Sequence, residues 1–191
     1  MSGIQAVLLF IIPLFFNLYL FALWLRIALR FCRISSLNPF SQMIHRFTNP
    51  LVNPVARLFY LGYKPGQVYD WAALLWIIVL TSIKILLIGL IVFGQLLAWI
   101  LSLLYVGADL IMQPSSLLLY LIVVRVIMDL VQPHWPMPLR EIIYRFTEPS
   151  YRLGRKIIPN ISGFDFSPYV IILILIVIRL FIRYSLPWQL I

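Results

Sequence analysis

The sequence predicts an all-α polytopic membrane protein, with about four transmembrane helices in two parallel repeats. Each repeat carries short amphipathic interfacial helices in a cytoplasmic loop. Three observations carry that fold class. The chain of 191 residues is 63% hydrophobic and 11% charged, with a mean hydropathy of +1.00, more apolar surface than a water-soluble domain of this size buries. The apolar residues fall in runs at 4–31, 71–106, 115–131 and 168–187, each at or near the length that crosses a hydrocarbon core about 30 Å thick. The pattern RFT-x-P occurs twice, at 46–50 and at 145–149. The runs show no period-two alternation, which excludes a β-barrel.

Taken in order, the first run begins MSGIQAVLLF, with no basic residue before the apolar stretch. It reads as a transmembrane helix and not as a cleaved signal. The polar segment after it opens with Asn38 before Pro39, an N-cap followed by proline at the first helical position. Phe40, Met43, Ile44 and Phe47 then recur at the spacing of one helix face. Pro50 is expected to end this helix and start a second, because the residue before a proline avoids the helical region. Leu139, Ile142, Ile143, Phe146 and Pro149 repeat the arrangement. Short helices of this kind, with Arg46 and Arg57 in the first segment and Arg145, Arg152, Arg155 and Lys156 in the second, lie flat in the headgroup layer with the basic face toward anionic lipid or a partner. Asp70 and Asp165–Ser167 supply N-cap oxygens for the apolar runs that follow.

The two halves align with each other. At an offset of 99 Arg26 meets Arg125, Pro39 meets Pro138 and Thr48 meets Thr147; at 95 Asp70 meets Asp165 and Lys84 meets Arg179. A duplicated unit of about 85 residues is implied. The expected organisation is repeat unit 1 at 1–93, a connector and external loop at 94–114, and repeat unit 2 at 115–191.

The formal charge is +9, and its placement decides its meaning. Arg30, Arg33, Arg46, Arg57 and Lys64 form one polar stretch; Arg140, Arg145, Arg152, Arg155 and Lys156 form another. Both follow apolar spans, as cytoplasmic loops do, so the charge points to a membrane surface and not to nucleic acid. Two crossings between the basic loops keep both on one side, which sets the repeats parallel and both termini outside. Gly107–Ser116, with Asp109 and no Lys or Arg, is the expected external loop. A single helix over 71–106 would measure about 54 Å, too long for one crossing; Gly89 and Gly94 are places for it to bend.

Several charges fall inside the spans. Arg26 and Arg125 lie near the cytoplasmic boundary, where they can snorkel. Asp129, four residues after Arg125, can pair with it. Lys84 and Arg179 lie about 21 Å along their helices, and such charges cost about 2.5–3.5 kcal/mol each on insertion scales. Neither has a full charge partner nearby in sequence; Ser82, Gln95 and Asp109 offer partial help. Either an intramembrane polar seam of Arg26, Lys84, Arg125, Asp129 and Arg179 is expected, neutralised by an anion, a lipid headgroup or a partner's carboxylate, or each cation snorkels separately or rests on backbone carbonyls.

No Walker loop, GxSxG, HExxH or His/Cys cluster occurs, so no catalytic site, metal or cofactor is implied. Cys32 is the single cysteine and supports no internal disulfide. His45 and His134 are isolated residues at the interface or in a loop.

LRI at 25–27, NPFSQ at 38–42, RFTNPLVNPVARL at 46–58, RFTEPSYRLGRKIIP at 145–159 and FDFSPYVIILIL at 164–175 together resemble the YggT (YlmG) family over nearly the whole chain. MPLRE at 137–141 departs from the NPF pattern, losing the Asn cap and keeping the proline. The resemblance implies a small multi-pass protein of the bacterial inner membrane with duplicated units. Chloroplast relatives are linked to cytochrome complex assembly and nucleoid distribution, bacterial ones to cell-division gene neighbourhoods and to osmotic or ionic stress; no catalytic residues carry over. The expected function is a non-enzymatic scaffold or assembly factor that presents basic amphipathic helices to anionic lipid or to an unidentified membrane or cytoplasmic protein. The alternative is a small channel or transporter, a homo-oligomer because four crossings are too thin to enclose a pore.

Overall fold

The structure, a computed structural model, describes residues 3–35, 37–58, 69–131, 135–158 and 165–187. Its order is α1 (Gly3–Phe31), α2 (Pro39–Leu58), α3 (Trp71–Phe93), α4 (Trp99–Val131), α5 (Met137–Ile157) and α6 (Ser167–Ser185), with no strand among the described residues. Four of them, α1, α3, α4 and α6, are long and apolar enough to cross a membrane. Lys64 and His134 lie outside the described residues.

The helices pack as two groups of three. In the first, α1 packs on α2 and α3; in the second, α4 packs on α5 and α6; α3 and α1 both meet α4. The first group closes around Leu20, Leu23, Val52, Ala72, Ala73 and Ile77. The second closes around Ile122, Tyr151, Ile171 and Leu175. Ile85, Tyr105 and Val106 fill the seam between α3 and α4. Gly154 lets α5 approach α6 closely, since a Cβ there would lie 2.8 Å from the Ser167 Cβ.

Two expectations are corrected. First, α2 and α5 each run unbroken through their prolines, Pro50 and Pro54 in one and Pro149 in the other. All three prolines sit on exposed faces, where solvent satisfies the carbonyls they leave free and a small bend accommodates the ring. Tertiary bonds outweigh the local preference at the preceding residues: Asn49 and Glu148 are held in the helix by Arg26 and Arg125. Second, 94–114 is not a connector loop. Gly94 ends α3 in the left-handed region, φ 69°, with its N–H on Leu90 O at 2.9 Å, as an αL cap requires. After a short turn, 99–131 is one helix of 33 residues. The polar residues at 107–116 do not need water there. Ser115 and Ser116 bond back to Ile111 O and Met112 O at 2.8 Å each, and Asp109 and Gln113 turn into the bundle.

The caps of α2 and α3 behave as read, but that of α6 does not: Phe166 stands at its N-cap with no side-chain cap bond, and Ser167 Oγ is buried without a hydrogen-bond partner. Asp70 accepts from Ala73 N at 3.2 Å at the start of α3. Asn38 accepts from Phe40 N at 3.0 Å, while its amide donates to Pro138 O at 3.0 Å, joining the entries of α2 and α5. Pro136, before α5, makes no side-chain cap.

Candidate functional site

Two layers of buried polar residues cross the bundle at different heights. The lower layer lies at the end that carries α2 and α5. On α1, Arg26 donates through Nε to Asp70 Oδ2 at 2.8 Å, and through Nη1 to Thr48 Oγ1 at 2.8 Å and Asn49 Oδ1 at 2.7 Å. Arg30 adds a second cation 3.3 Å from the same carboxylate. Thr48 is fully buried and donates its own hydroxyl hydrogen bond to Ile44 O at 2.8 Å. Arg26 is 5% exposed, so it is locked between three elements and does not snorkel.

Arg125 on α4 makes the matching contact, Nη1 to Thr147 Oγ1 at 2.8 Å. Its acid differs. Glu148 lies 3.3 Å away, Asp129 only at 3.9 Å, and Asp129 takes the Tyr144 hydroxyl instead. The guanidinium is sandwiched by Tyr151, 3.8 Å to its ring centroid, and Tyr144 at 4.3 Å, a cation–π arrangement that stabilises a desolvated charge. Asp165, at the sequence position that aligns with Asp70, pairs with Arg155 at 2.9 Å and accepts from Ser167 N at 2.9 Å just ahead of α6 without capping the helix.

The charges of the lower layer shift the groups around them. Burial alone would raise the Asp70 carboxyl. The Arg26 hydrogen bond, the Arg26 and Arg30 charges and the Ala73 N–H outweigh burial and hold it below its ordinary value. His45 is lowered, first by burial and then by Arg26 and Arg30, with Asp70 opposing. Burial also pushes the Tyr151 hydroxyl up to about 12.

The upper layer sits mid-helix. Lys84 on α3 lies 2.5 Å from Asp109 Oδ2 on α4 and donates to Asn17 Oδ1 on α1 at 2.9 Å. Gln113 donates to Asp109 Oδ2 at 2.7 Å and to Thr81 Oγ1 at 3.2 Å, and accepts from Trp24 Nε1 at 2.7 Å. Lys84, Asp109 and Thr81 are all buried. Beside this network is a cavity of about 270 Å³, lined by Asn17, Trp24, Lys84, Asp109, Gln113, Tyr120 and Arg179 among others.

The five residues of the expected seam thus do not share one site. Lys84 and Arg179 line the same cavity; Arg26, Arg125 and Asp129 belong to the lower layer with partners of their own. Lys84 has a full charge partner, Asp109, which the sequence reading treated as partial help in a loop. Ser82 bonds to Ile78 O on its own helix, and Gln95 is exposed in the turn after α3. Glu148 was missed as the partner of Arg125, and Asn17 and Gln113 were missed altogether. One signal was available for Asp109 and Gln113: charged or amide side chains inside an otherwise apolar helix pattern are expensive unless they are paired.

The surface cations Arg46, Arg57, Arg145, Arg152, Arg155 and Lys156 are all exposed. On α5 several are tied to acids: Arg145 to Glu141 at 3.0 Å, Arg152 to Glu148 at 3.5 Å, and Arg155 to Asp165. The described part of α2 holds no acid. There Arg46, Asn49, Asn53 and Arg57 border an open cleft.

Comparison with known proteins gives one family. The CCB3/YggT family model matches residues 5–91 and 93–186. An uncharacterized protein of Vibrio alginolyticus, encoded in the proC 3' region, is 31% identical over 163 residues, 85% of each chain. The uncharacterized protein YggT of Escherichia coli K12 is 29% identical over 171 residues, 90% of this chain and 86% of its own. An uncharacterized protein of Pseudomonas aeruginosa is 30% identical over 180 residues, 88% of this chain and 84% of its own. No solved structure matches.

Proposed function

The chain belongs to the CCB3/YggT family, and on that premise we propose that it is a non-enzymatic scaffold or assembly factor of the bacterial inner membrane. In this reading α2 and α5 lie on the cytoplasmic surface and hold anionic lipid, or a cytoplasmic partner, against the bilayer. The chain is read as two parallel copies of one unit, α1–α3 and α4–α6. Two matches of one family model, on either side of residue 92, support that duplication. So does the recurrence of the Arg26–Thr48 contact as Arg125–Thr147 at the same 2.8 Å.

The observation that carries the reading is how α2 and α5 divide their surfaces. Each has a buried face, through Ser41, Thr48 and Val52 in α2 and through Ile143, Thr147, Tyr151 and Gly154 in α5. Next to it runs an exposed apolar stripe: Met43, Phe47, Leu51 and Leu58 in α2, Leu153 and Ile157 in α5. The remaining face is basic. Arg46 and Arg57 are eleven residues apart, so they share a face about 16.5 Å apart. Going round each helix the three faces follow in the same rotational order. A helix docked by one face, with apolar and basic faces side by side, suits the boundary between headgroups and acyl chains.

The test is hydrogen exchange of the intact protein in nanodiscs of phosphatidylcholine with and without phosphatidylglycerol. Added phosphatidylglycerol should slow exchange in α2 and α5 and leave the buried parts of α1 and α3 unchanged. An Arg46→Gln/Arg57→Gln/Lys156→Gln variant should lose most of that protection. Equal exchange in both lipids would remove the lipid arm of the reading.

A second reading, a small oligomeric channel or transporter serving osmotic or ionic compensation, draws on the cavity beside Lys84 and Arg179. Fixed cations there would favour anions.

A further inference from the structure

We propose that the mid-helix cavity is an anion site in which Arg179 binds one singly charged oxyanion. Its charge balance is the first argument. The charged residues lining the cavity are Lys84, Arg179 and Asp109, two cations and one acid, a net charge of +1. Lys84 and Asp109 neutralise each other at 2.5 Å. Arg179 remains. It makes no ion pair among the described residues, and its Nε is buried without a hydrogen-bond partner. An uncompensated guanidinium within an apolar span is costly, and a fork of N–H donors is the side chain best matched to a carboxylate or phosphate oxygen pair.

The second argument is what the rest of the lining offers. Asp109, the one carboxylate, is already occupied by Lys84 and Gln113. Gln113 spends its carbonyl on Trp24 and its amide on Asp109 and Thr81. Asn17 uses its carbonyl for Lys84, which leaves its amide N–H groups as donors. Tyr120 adds a hydroxyl at the wall. The charge left unpaired is the Arg179 guanidinium, and Asn17 adds N–H donors beside it, so the cavity suits an anion better than a cation. At about 270 Å³ it has room for a compact oxyanion together with water.

A third argument comes from comparing the two groups of helices. Lys84 of α3 finds its acid, Asp109, on the neighbouring α4. Arg179 aligns with Lys84, and the residue that aligns with Asp109 at the offset of 99 is Phe10, which is exposed. Arg179 therefore lacks the carboxylate that Lys84 finds, because α1 carries Phe10 where α4 carries Asp109, and a bound anion takes its place. Arg183, one turn further along α6, is exposed and does not line the cavity.

Two sources supply this chemistry, the phosphodiester of a lipid headgroup and a free inorganic oxyanion, and the test separates them. The full chain is placed in phosphatidylcholine nanodiscs, and its thermal unfolding midpoint is followed in two arms. One titrates inorganic phosphate at constant ionic strength; the other raises the phosphatidylglycerol fraction. Each arm is run on the wild type, Arg179→Gln and Arg183→Gln. A saturable rise in the midpoint that Arg179→Gln weakens at least tenfold, and Arg183→Gln does not, assigns the site to whichever probe gives it. Without probe, Arg179→Gln should fold at least as well as wild type, because it removes an uncompensated charge. Anion binding beside Arg179 is overturned if neither probe gives a rise that depends on Arg179, or if the two variants respond alike. Only the part of the rise that depends on Arg179 reads α6, because phosphatidylglycerol held at α2 and α5 raises the midpoint of wild type and Arg179→Gln alike; failure of that part leaves the scaffold reading standing, and the reverse holds.

Discussion

Arg26 ties three segments with one guanidinium, and the Asp70 carboxylate is the charge that makes its burial tolerable. Both side chains are nearly inaccessible, at 7% and 6%. Removing one partner of such a pair strands the other, at a cost of about 3–5 kcal/mol. Asp70→Asn keeps an oxygen that can cap Ala73 N and removes only the charge. It should lower stability by about 3 kcal/mol, read as the unfolding midpoint in detergent. The acid limb gives a second reading of the same residue. Asp70 is held below its ordinary 3.8, so the unfolded chain takes up the proton first. Its contribution is whole above about pH 4 and is lost as pH falls through the lower folded value; in Asp70→Asn that part of the limb should flatten. His45, held below 6.5, adds a separate acid-side loss. It is neutral in the folded chain, so stability is whole above 6.5 and falls as pH drops below it through the folded value. His45→Gln should remove that step alone. Lys84 and Asp109 make the same point deeper in the bundle. Asp109→Asn should cost about 3–5 kcal/mol, whereas Lys84→Met with Asp109→Leu should recover most of the loss, since an apolar replacement of a whole buried pair is often neutral.

The elements were legible where one rule governed them and misread where two competed. The first and last apolar runs and the Asp70 cap follow from local sequence and sit where their residues place them, whereas the runs read as 71–106 and 115–131 divide instead at Gly94, read only as a bend, into 71–93 and 99–131. Pro50 and Pro149 carry a local signal to stop, yet Arg26 and Arg125 hold Asn49 and Glu148 in helical register from another element. A single-sequence reading weighs the first signal and has no access to the second. Asp109 and Gln113 were misplaced for a related reason. Polarity in an apolar stretch reads equally as a loop or as a buried network, and the difference lies in Lys84, twenty-five positions earlier. The layers were legible as charges in need of partners, not as the partners themselves. A continuous α2 has a consequence. Proline costs about 3 kcal/mol against alanine in a helix interior, so Pro50→Ala should raise helical circular dichroism slightly and stabilise the protein. A helix that ended at residue 50 would gain nothing.

At the scale of the whole molecule, the pairing of α1–α3 with α4–α6 has one geometric requirement. If the units are parallel, α2 and α5 face the same compartment, and the turn at 94–98 faces the other. The packing agrees in that Asn38, at the entry to α2, bonds Pro138 at the entry to α5, and helices on opposite faces of a bilayer cannot touch. In the scaffold reading the positive-inside rule gives the sign, with the arginines of α2 and α5 on the cytoplasmic side. Cys32 is the chain's single cysteine, so Cys32→Ala gives a clean background for single probes. Arg46→Cys, Arg145→Cys and Leu96→Cys replace exposed side chains, and none takes part in the buried layers. In intact spheroplasts a membrane-impermeant maleimide should label position 96 and spare 46 and 145; in inside-out vesicles the pattern should reverse. Labelling of 46 and 145 from opposite sides would contradict the parallel arrangement and the Asn38–Pro138 contact together. Labelling of both from outside would keep the arrangement, invert its sign, and remove the cytoplasmic partner from the scaffold reading.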